Sequence, residues 1–135
     1  MCAEAVQIRV REAVPGDAWL WEALRRDLWP DGADDHATEI AMFFAGTLEE
    51  PVGVLMAETA DSAIIGFAEL SIRIDVAGVE GKRAGYVEGL YVRPEVRHHG
   101  VARTLMRASR VWARRQKCAA FASDRAGRVV IDKTF

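Results

Sequence analysis

Tyr86-Val-Glu-Gly-Leu-Tyr-Val-Arg93-Pro-Glu-Val-Arg97-His-His-Gly100-Val-Ala102 changes its hydrophobic period midway, and that change decides the fold. Tyr86 to Val92 is rich in β-branched and aromatic residues and stops at Arg93-Pro94, as a strand closed by a turn does. From Val101 a helical period takes over. Val101, Leu105, Ala108 and Trp112 share one face, and Arg103, Arg107, Arg110 and Arg114 line another. Between them stands Arg97-x-x-Gly100-x-Ala102, small residues at a helix start. There the first-turn N–H groups lack partners within the helix and point outward with the positive end of its dipole, a seat for phosphate or pyrophosphate. The alternative is a plain strand–turn–helix whose small residues serve close packing. Gly89 inside the strand points to a bulge, or to a group lying close against the backbone.

Working outward, Lys117 to Ser123 is a short apolar run placed to pair in parallel with Tyr86–Val92, making one βαβ crossover. Ligands are expected at the carboxyl ends of such strands, where Asp124, Arg97 and the glycine turn all fall. Upstream, Val6, Ile8 and Val10 alternate as a first strand. Pro15-Gly16-Asp17 breaks it, with Asp17 as N-cap of a helix through Leu28 whose apolar face is Leu20, Trp21, Leu24 and Leu28. Pro30 halts that helix at Trp29. A second helix runs from about Asp35 to Leu48, carried by Ile40, Phe43 and Phe44. Val52–Glu58 and Ala63–Ile74 form a hairpin, and Asp75–Gly85 is a loop before the central strand.

The chain has 135 residues, half of them hydrophobic, enough for one domain with a core and too short for two. Lys+Arg 18 against Asp+Glu 20 leaves a net charge of -2, which argues against general binding of nucleic acid. The arginine stripe reads as a solvated helix face, since a nucleic-acid patch would carry interleaved aromatics. No basic leader or membrane-length apolar run is present, so a cytoplasmic protein is expected. Cys2 and Cys118 have no metal-ligand spacing and read as free thiols, Cys118 as a small buried hydrophobe. His98 and His99 read as anion-facing surface residues, and no metal site is expected.

Several segments, taken in order, resemble a family. Strand, Arg-x-x-Gly-x-Ala and amphipathic helix are similar to the acyl-CoA-binding core of GCN5-related N-acetyltransferases. Leu28-Trp-Pro30, Ile65-Gly-Phe-Ala68, Ser71-Ile-Arg73, Val87-Glu-Gly-Leu-Tyr-Val92, Gly100-Val-Ala102, Val111-Trp112 and Phe121-Ala-Ser-Asp124 resemble bacterial aminoglycoside 6'-N-acetyltransferases in particular. The resemblance implies an α/β fold with a mixed sheet flanked by helices, acetyl-CoA as co-substrate, an aminoglycoside or other small amine as acceptor, and a homodimer as one candidate assembly. Carried over residue by residue, it implies that Leu90, Tyr91 and Val92 offer backbone groups to the acetyl-pantetheine arm. Arg97, His98, His99, Gly100, Val101, Ala102 and Arg103 would then wrap the pyrophosphate. Glu88 contacts the amine and is the candidate proton acceptor; its alternative is a salt bridge to Arg73. Asp124 is a second substrate acid, or a cap for whatever follows its strand. Trp29, which by itself reads as core or as a platform, lines the drug site by resemblance. Asp31, Asp34, Asp35 and Glu39 are either an acidic rim for a polycation or helix-complementing acids.

The departures are equally specific. Val76 stands where relatives place an aromatic against the drug, and Gly32 where some carry a histidine. After Asp124 the family's next helix and its last two strands have no counterpart in Arg125-Ala-Gly-Arg-Val-Val-Ile-Asp-Lys-Thr-Phe135. The expected organisation is therefore an incomplete acetyltransferase domain over 1–124 and an atypical tail over 125–135. The last family strand is left with an open edge unless Val129-Val-Ile131 adds one. Acetylation of another amine, such as a polyamine or a protein N-terminus, stays open, as does a non-catalytic remnant.

Overall fold

The computed structural model describes residues 7–135, without the side chains of Ala33 and Asp34; Cys2 and Val6 lie outside the described residues, as does the side chain of Asp34. Six strands form one sheet in sequence order: β1 (Ile8–Glu12), β2 (Gly53–Thr59), β3 (Ile64–Arg73), β4 (Ala84–Val92), β5 (Ala120–Arg125) and β6 (Arg128–Ile131). Neighbours are antiparallel except β4 and β5, which are parallel. That parallel pair needs a crossover, supplied by α3 (Val101–Arg115). The other helices, α1 (Ala18–Leu28) and α2 (Ala33–Ala45), cover the opposite face.

The two-residue period of the strands sorts the core accordingly. Val54, Met56, Phe67 and Tyr91 pack with Trp21 and Leu24 of α1 and Ile40 of α2. Their neighbours Leu55, Ala57, Ala68, Leu70, Val87 and Val92 pack with Val101, Leu105 and Trp112 of α3. The helical face of α3 is thus as the periodicity predicts, with Ser109 and Ala113 added to it; the Ser109 hydroxyl is satisfied by the Leu105 carbonyl at 2.7 Å. Among the described residues no helix is long and apolar enough to cross a membrane.

Several expectations are corrected. Asp17 does stand at the N-cap position of α1, but its side chain makes no capping bond to that helix. Its carboxylate instead accepts the Val14 N–H at 2.8 Å and both terminal nitrogens of Arg11 at 2.8 and 2.9 Å. Helix α2 stops at Ala45 rather than Leu48, because Gly46 turns left-handed at φ 75° and lets the Thr47 N–H close on the Met42 carbonyl at 3.0 Å. Strand β4 begins at Ala84, two positions before Tyr86, and β5 lies at Ala120–Arg125 rather than 117–123. Of the two outcomes open for the edge of β5, the covered one holds: Val129, Val130 and Ile131 pair along it through β6. The arginine stripe is not fully solvated. Arg110 Nε stands 2.9 Å from Asp132 Oδ2, and the Arg114 guanidinium lies 4.8 Å over the Phe135 ring, which itself stacks on Phe121. Burial pushes the Cys118 thiol above its ordinary pKa, which disfavours the reactive thiolate.

Candidate active site

The bulge expected at Gly89 is present. Glu69 pairs with Gly89 but Leu70 pairs with Val87, so Glu88 is the extra residue on β4. Close approach is present too: a Cβ on Gly89 would sit 2.4 Å from the Trp29 ring. Past the bulge, β4 and β5 part. Their parallel pairing ends at Val87–Ser123, while β4 continues to Val92.

Which peptide groups the splay leaves open follows from the alternation of a strand. The Arg93 N–H bonds the Ile65 carbonyl at 2.9 Å, so Arg93 and Tyr91 direct their main-chain groups toward β3. Leu90 and Val92 therefore face the opening. The Val92 carbonyl is taken by Arg97 Nε at 2.9 Å, which leaves the Val92 N–H and both groups of Leu90. Of the three residues expected to offer backbone groups, Tyr91 does not; its side chain lines the cleft instead, its hydroxyl donating to Asp27 Oδ2 at 3.3 Å. Burial, then Asp27, holds that phenol above its ordinary pKa.

The splay opens into a cleft of ≈ 780 Å³ walled by Leu90, Tyr91 and Val92 on one side and by Arg97, His98, Gly100, Val101, Ala102 and Arg103 on the other. Gly100 adopts φ 83°, a left-handed conformation that suits glycine, and no side chain caps α3. The Val101, Ala102 and Arg103 N–H groups have no backbone acceptor among the described residues. A seat of unclaimed donors at a helix start, flanked by Arg97 and Arg103, fits a diphosphate. His99 is exposed and does not wall this cleft.

A second cleft, ≈ 480 Å³, adjoins the first through Leu28 and Leu90, which line both. It brings together Trp29, Glu88 and Asp124 from three separate segments. Glu88 is about a fifth exposed: it lines the cleft and also binds Arg73, whose Nε and Nη2 reach the same oxygen, Oε1, at 2.8 and 2.5 Å. Oε2 has no hydrogen-bond partner among the described residues. Asp124 is likewise divided, with Oδ1 capping the turn through the Gly127 N–H at 3.1 Å and Oδ2 without a partner among the described residues. Burial first, then the fields of Asp124 and Glu88, holds the Tyr86 phenol above its ordinary pKa, so both acids act on one region. Trp29 is both core and wall, edge-on to Phe67 at 6.5 Å.

The rim is smaller than expected, because Glu39 pairs with Arg25 at 2.8 Å; Asp31 and Asp35 are exposed. Val76 does not line either cleft but is buried with Ala84, Tyr86, Ala120 and Ala122. Leu28, expected only on the apolar face of α1, lines both clefts, and Asp27 and Met106, which the sequence did not mark, line one each. Helical spacing could have found Met106, which stands three and seven positions before the buried Ser109 and Ala113; Asp27 carried no signal.

Comparison with known proteins agrees with this geometry. Residues 18–128 match the family described as Acetyltransferase (GNAT) family. The chain is 40% identical over 116 residues to an aminoglycoside N(6')-acetyltransferase type 1 of Klebsiella aerogenes, covering 85% of this chain and 76% of that protein. The same name is borne by a Stenotrophomonas maltophilia protein, also 40% identical, of which 73% is covered. The solved structure of AAC(6')-Iy in complex with the bisubstrate analog CoA-S-monomethyl-acetylneamine superposes with a TM-score of 0.79 at 30% identity, covering 89% of this chain and 80% of that one.

Proposed function

The chain belongs to the acetyltransferase (GNAT) family, and from that premise we propose that it transfers the acetyl group of acetyl-CoA to the 6'-amino group of an aminoglycoside, a modification that confers antibiotic resistance. One observation carries the reading: a strand that splays open beside unclaimed helix N–H groups runs straight into a cleft walled by two carboxylates.

In this reading acetyl-CoA, as co-substrate, supplies the thioester. The N–H groups of Val101, Ala102 and Arg103 grip its diphosphate, with Arg97 and His98 adding positive or polar edges. Leu90 and Val92 align the acyl arm along β4, and an N–H from one of them donates to the thioester carbonyl oxygen as charge develops there. Holding two reactants in register is worth roughly 7–11 kcal/mol, so the junction of the clefts supplies much of the rate before any proton is moved.

On the amine side, Glu88 Oε2 and Asp124 Oδ2 receive ammonium groups, and the Trp29 ring forms the apolar wall against which a sugar ring rests. Two acids favour the charged amine, which is not nucleophilic, so one must also take its proton. Glu88, at the start of the open stretch of β4, accepts it directly or through a water; as the N–C bond forms, the thioester C–S bond breaks and coenzyme A leaves as its thiolate, which is protonated from solvent. The assembly proposed with this activity is a homodimer, checked by sedimentation.

Calorimetry with acetyl-CoA and with kanamycin or tobramycin, paired with thiol release over a panel of amines, tests the proposal. Binding of acetyl-CoA with no binding of either drug refutes the substrate class, and turnover of a polyamine or an N-terminal peptide instead identifies the alternative. No thiol release from any amine identifies a non-catalytic protein.

A further inference from the structure

Between α1, α2 and the sheet lies a set of buried polar groups to which acetyl transfer assigns no task. Glu69 is 1% exposed and stands at the bulge itself. It accepts from Arg25 Nε at 2.6 Å, Arg25 Nη2 at 3.0 Å and Trp21 Nε1 at 3.0 Å. Arg25, 4% exposed, has a further nitrogen, Nη1, 3.2 Å from His36 Nδ1. His36, 3% exposed, has its other nitrogen, Nε2, 2.9 Å from the Trp29 carbonyl oxygen.

The direction of these bonds follows from the atoms. A guanidinium only donates and a carbonyl only accepts, so the imidazole must accept at Nδ1 and donate at Nε2. The chain of donation thus runs from Arg25 through neutral His36 to Trp29. The Arg25 guanidinium also lies 5.3 Å from the centre of the Trp29 ring. Trp29 is held at its main chain by His36, and its ring lies by Arg25 and, at Cη2 and Cζ2, against the bare backbone of Gly89.

A buried ion pair is weak evidence for stability, because apolar groups of the same volume would serve as well. What this one adds is a fixed place for a residue of the cleft wall. We propose that Arg25 and His36 form the positioning device of the amine cleft, acting through Trp29 to set its ring opposite Glu88 and Asp124; this rests on the reading of that cleft as the amine site. His36 is then a positioning residue that touches neither substrate.

The test compares His36→Leu with His36→Gln, whose amide can accept from Arg25 and donate toward Trp29. Tobramycin is titrated by calorimetry in the absence of acetyl-CoA, and KM is measured for each substrate. The expected result is that His36→Leu weakens tobramycin about tenfold, the weight of one well-placed hydrogen bond, with acetyl-CoA affinity unchanged and His36→Gln largely restored. Should His36→Leu not fold, Arg25→Lys, which keeps the charge beside Glu69 but loses the fork that reaches His36, must show the same selective loss. Equal weakening of both substrates, or a lowered Tm with tobramycin binding intact, overturns the proposal. Trp29→Ala separates the two levels. If it weakens tobramycin while His36→Leu does not, the positioning claim fails and the amine site stands; if it leaves tobramycin unaffected, the amine site reading fails and the proposal with it.

Discussion

Replacing Gly89 with alanine puts one methyl group where the structure has no room for it. The new Cβ would lie 2.4 and 2.6 Å from two ring carbons of Trp29 and 3.4 Å from a methyl of Leu28. Carbon atoms rest at about 3.5–4.0 Å, so the indole must retreat by about 1 Å. Gly89 is not in the left-handed region, so the backbone itself tolerates alanine and the clash is the whole perturbation. Overpacking of this kind costs about 1–3 kcal/mol. For a domain of this length that lowers Tm by roughly 3–15 °C. The retreat also displaces the wall of the Glu88 cleft, so the amine KM should rise while the acetyl-CoA KM holds. Thermal melts of Gly89→Ala, Trp29→Ala and the double variant decide the cause. Once the indole is gone the methyl has space, so the double variant should be more stable than the summed costs predict by about 1–3 kcal/mol. Costs that add to within about 0.5 kcal/mol refute the reasoning, because Gly89 would then be needed by the bulge and not by Trp29.

Ala102→Glu places an acid in the first turn of α3, which should leave Tm unchanged or raise it by the dipole interaction of about 0.3–1 kcal/mol, while sharply weakening acetyl-CoA in calorimetry; unchanged acetyl-CoA affinity would place the diphosphate elsewhere. Arg73→Gln frees Glu88 Oε1, and the pair is partly exposed, so stability should change by at most about 1 kcal/mol. The amine KM should fall and the acetyl-CoA KM stay constant; a rise in amine KM would show that Arg73 orients Glu88 rather than competing for it. Asp17 tests the acid limb of stability: the Arg11 guanidinium, against the effect of burial, holds its carboxyl below the ordinary value of 3.8. A depressed pKa contributes stability that is present above that value and lost as pH falls through the depressed one. Denaturant titrations should therefore show wild-type stability dropping below about pH 4, and a shallower drop in Asp17→Asn; equal slopes would contradict the Arg11 pairing.

What could be read along the chain was what short-range physics writes there. A β-branched run, a glycine that breaks it, a proline turn and a helical period after Gly100 are local signals, each set by backbone sterics and side-chain spacing within a few residues. From them came the bulge, the open helix start and the parallel crossover, and these hold in the structure, which adds the splay of β4 from β5. The family's segments added Glu88, Asp124 and Trp29, which do share one cleft.

Tertiary structure decided which partner each polar group chose. Arg25 and Glu69 are 44 positions apart, and nothing in either neighbourhood distinguishes them from surface charges. Only the packing of α1 on β3 removes water from both and makes pairing obligatory. The same holds for Glu88, whose two oxygens are divided between Arg73 and the cleft by a bulge of one residue, and for Tyr91, whose peptide groups are spent on β3 because of strand phase. Val76 turned inward and Glu39 turned to Arg25 for that reason as well. Periodicity states which face a residue occupies; which group meets it there depends on register and layer packing, set by contacts between segments far apart in the chain.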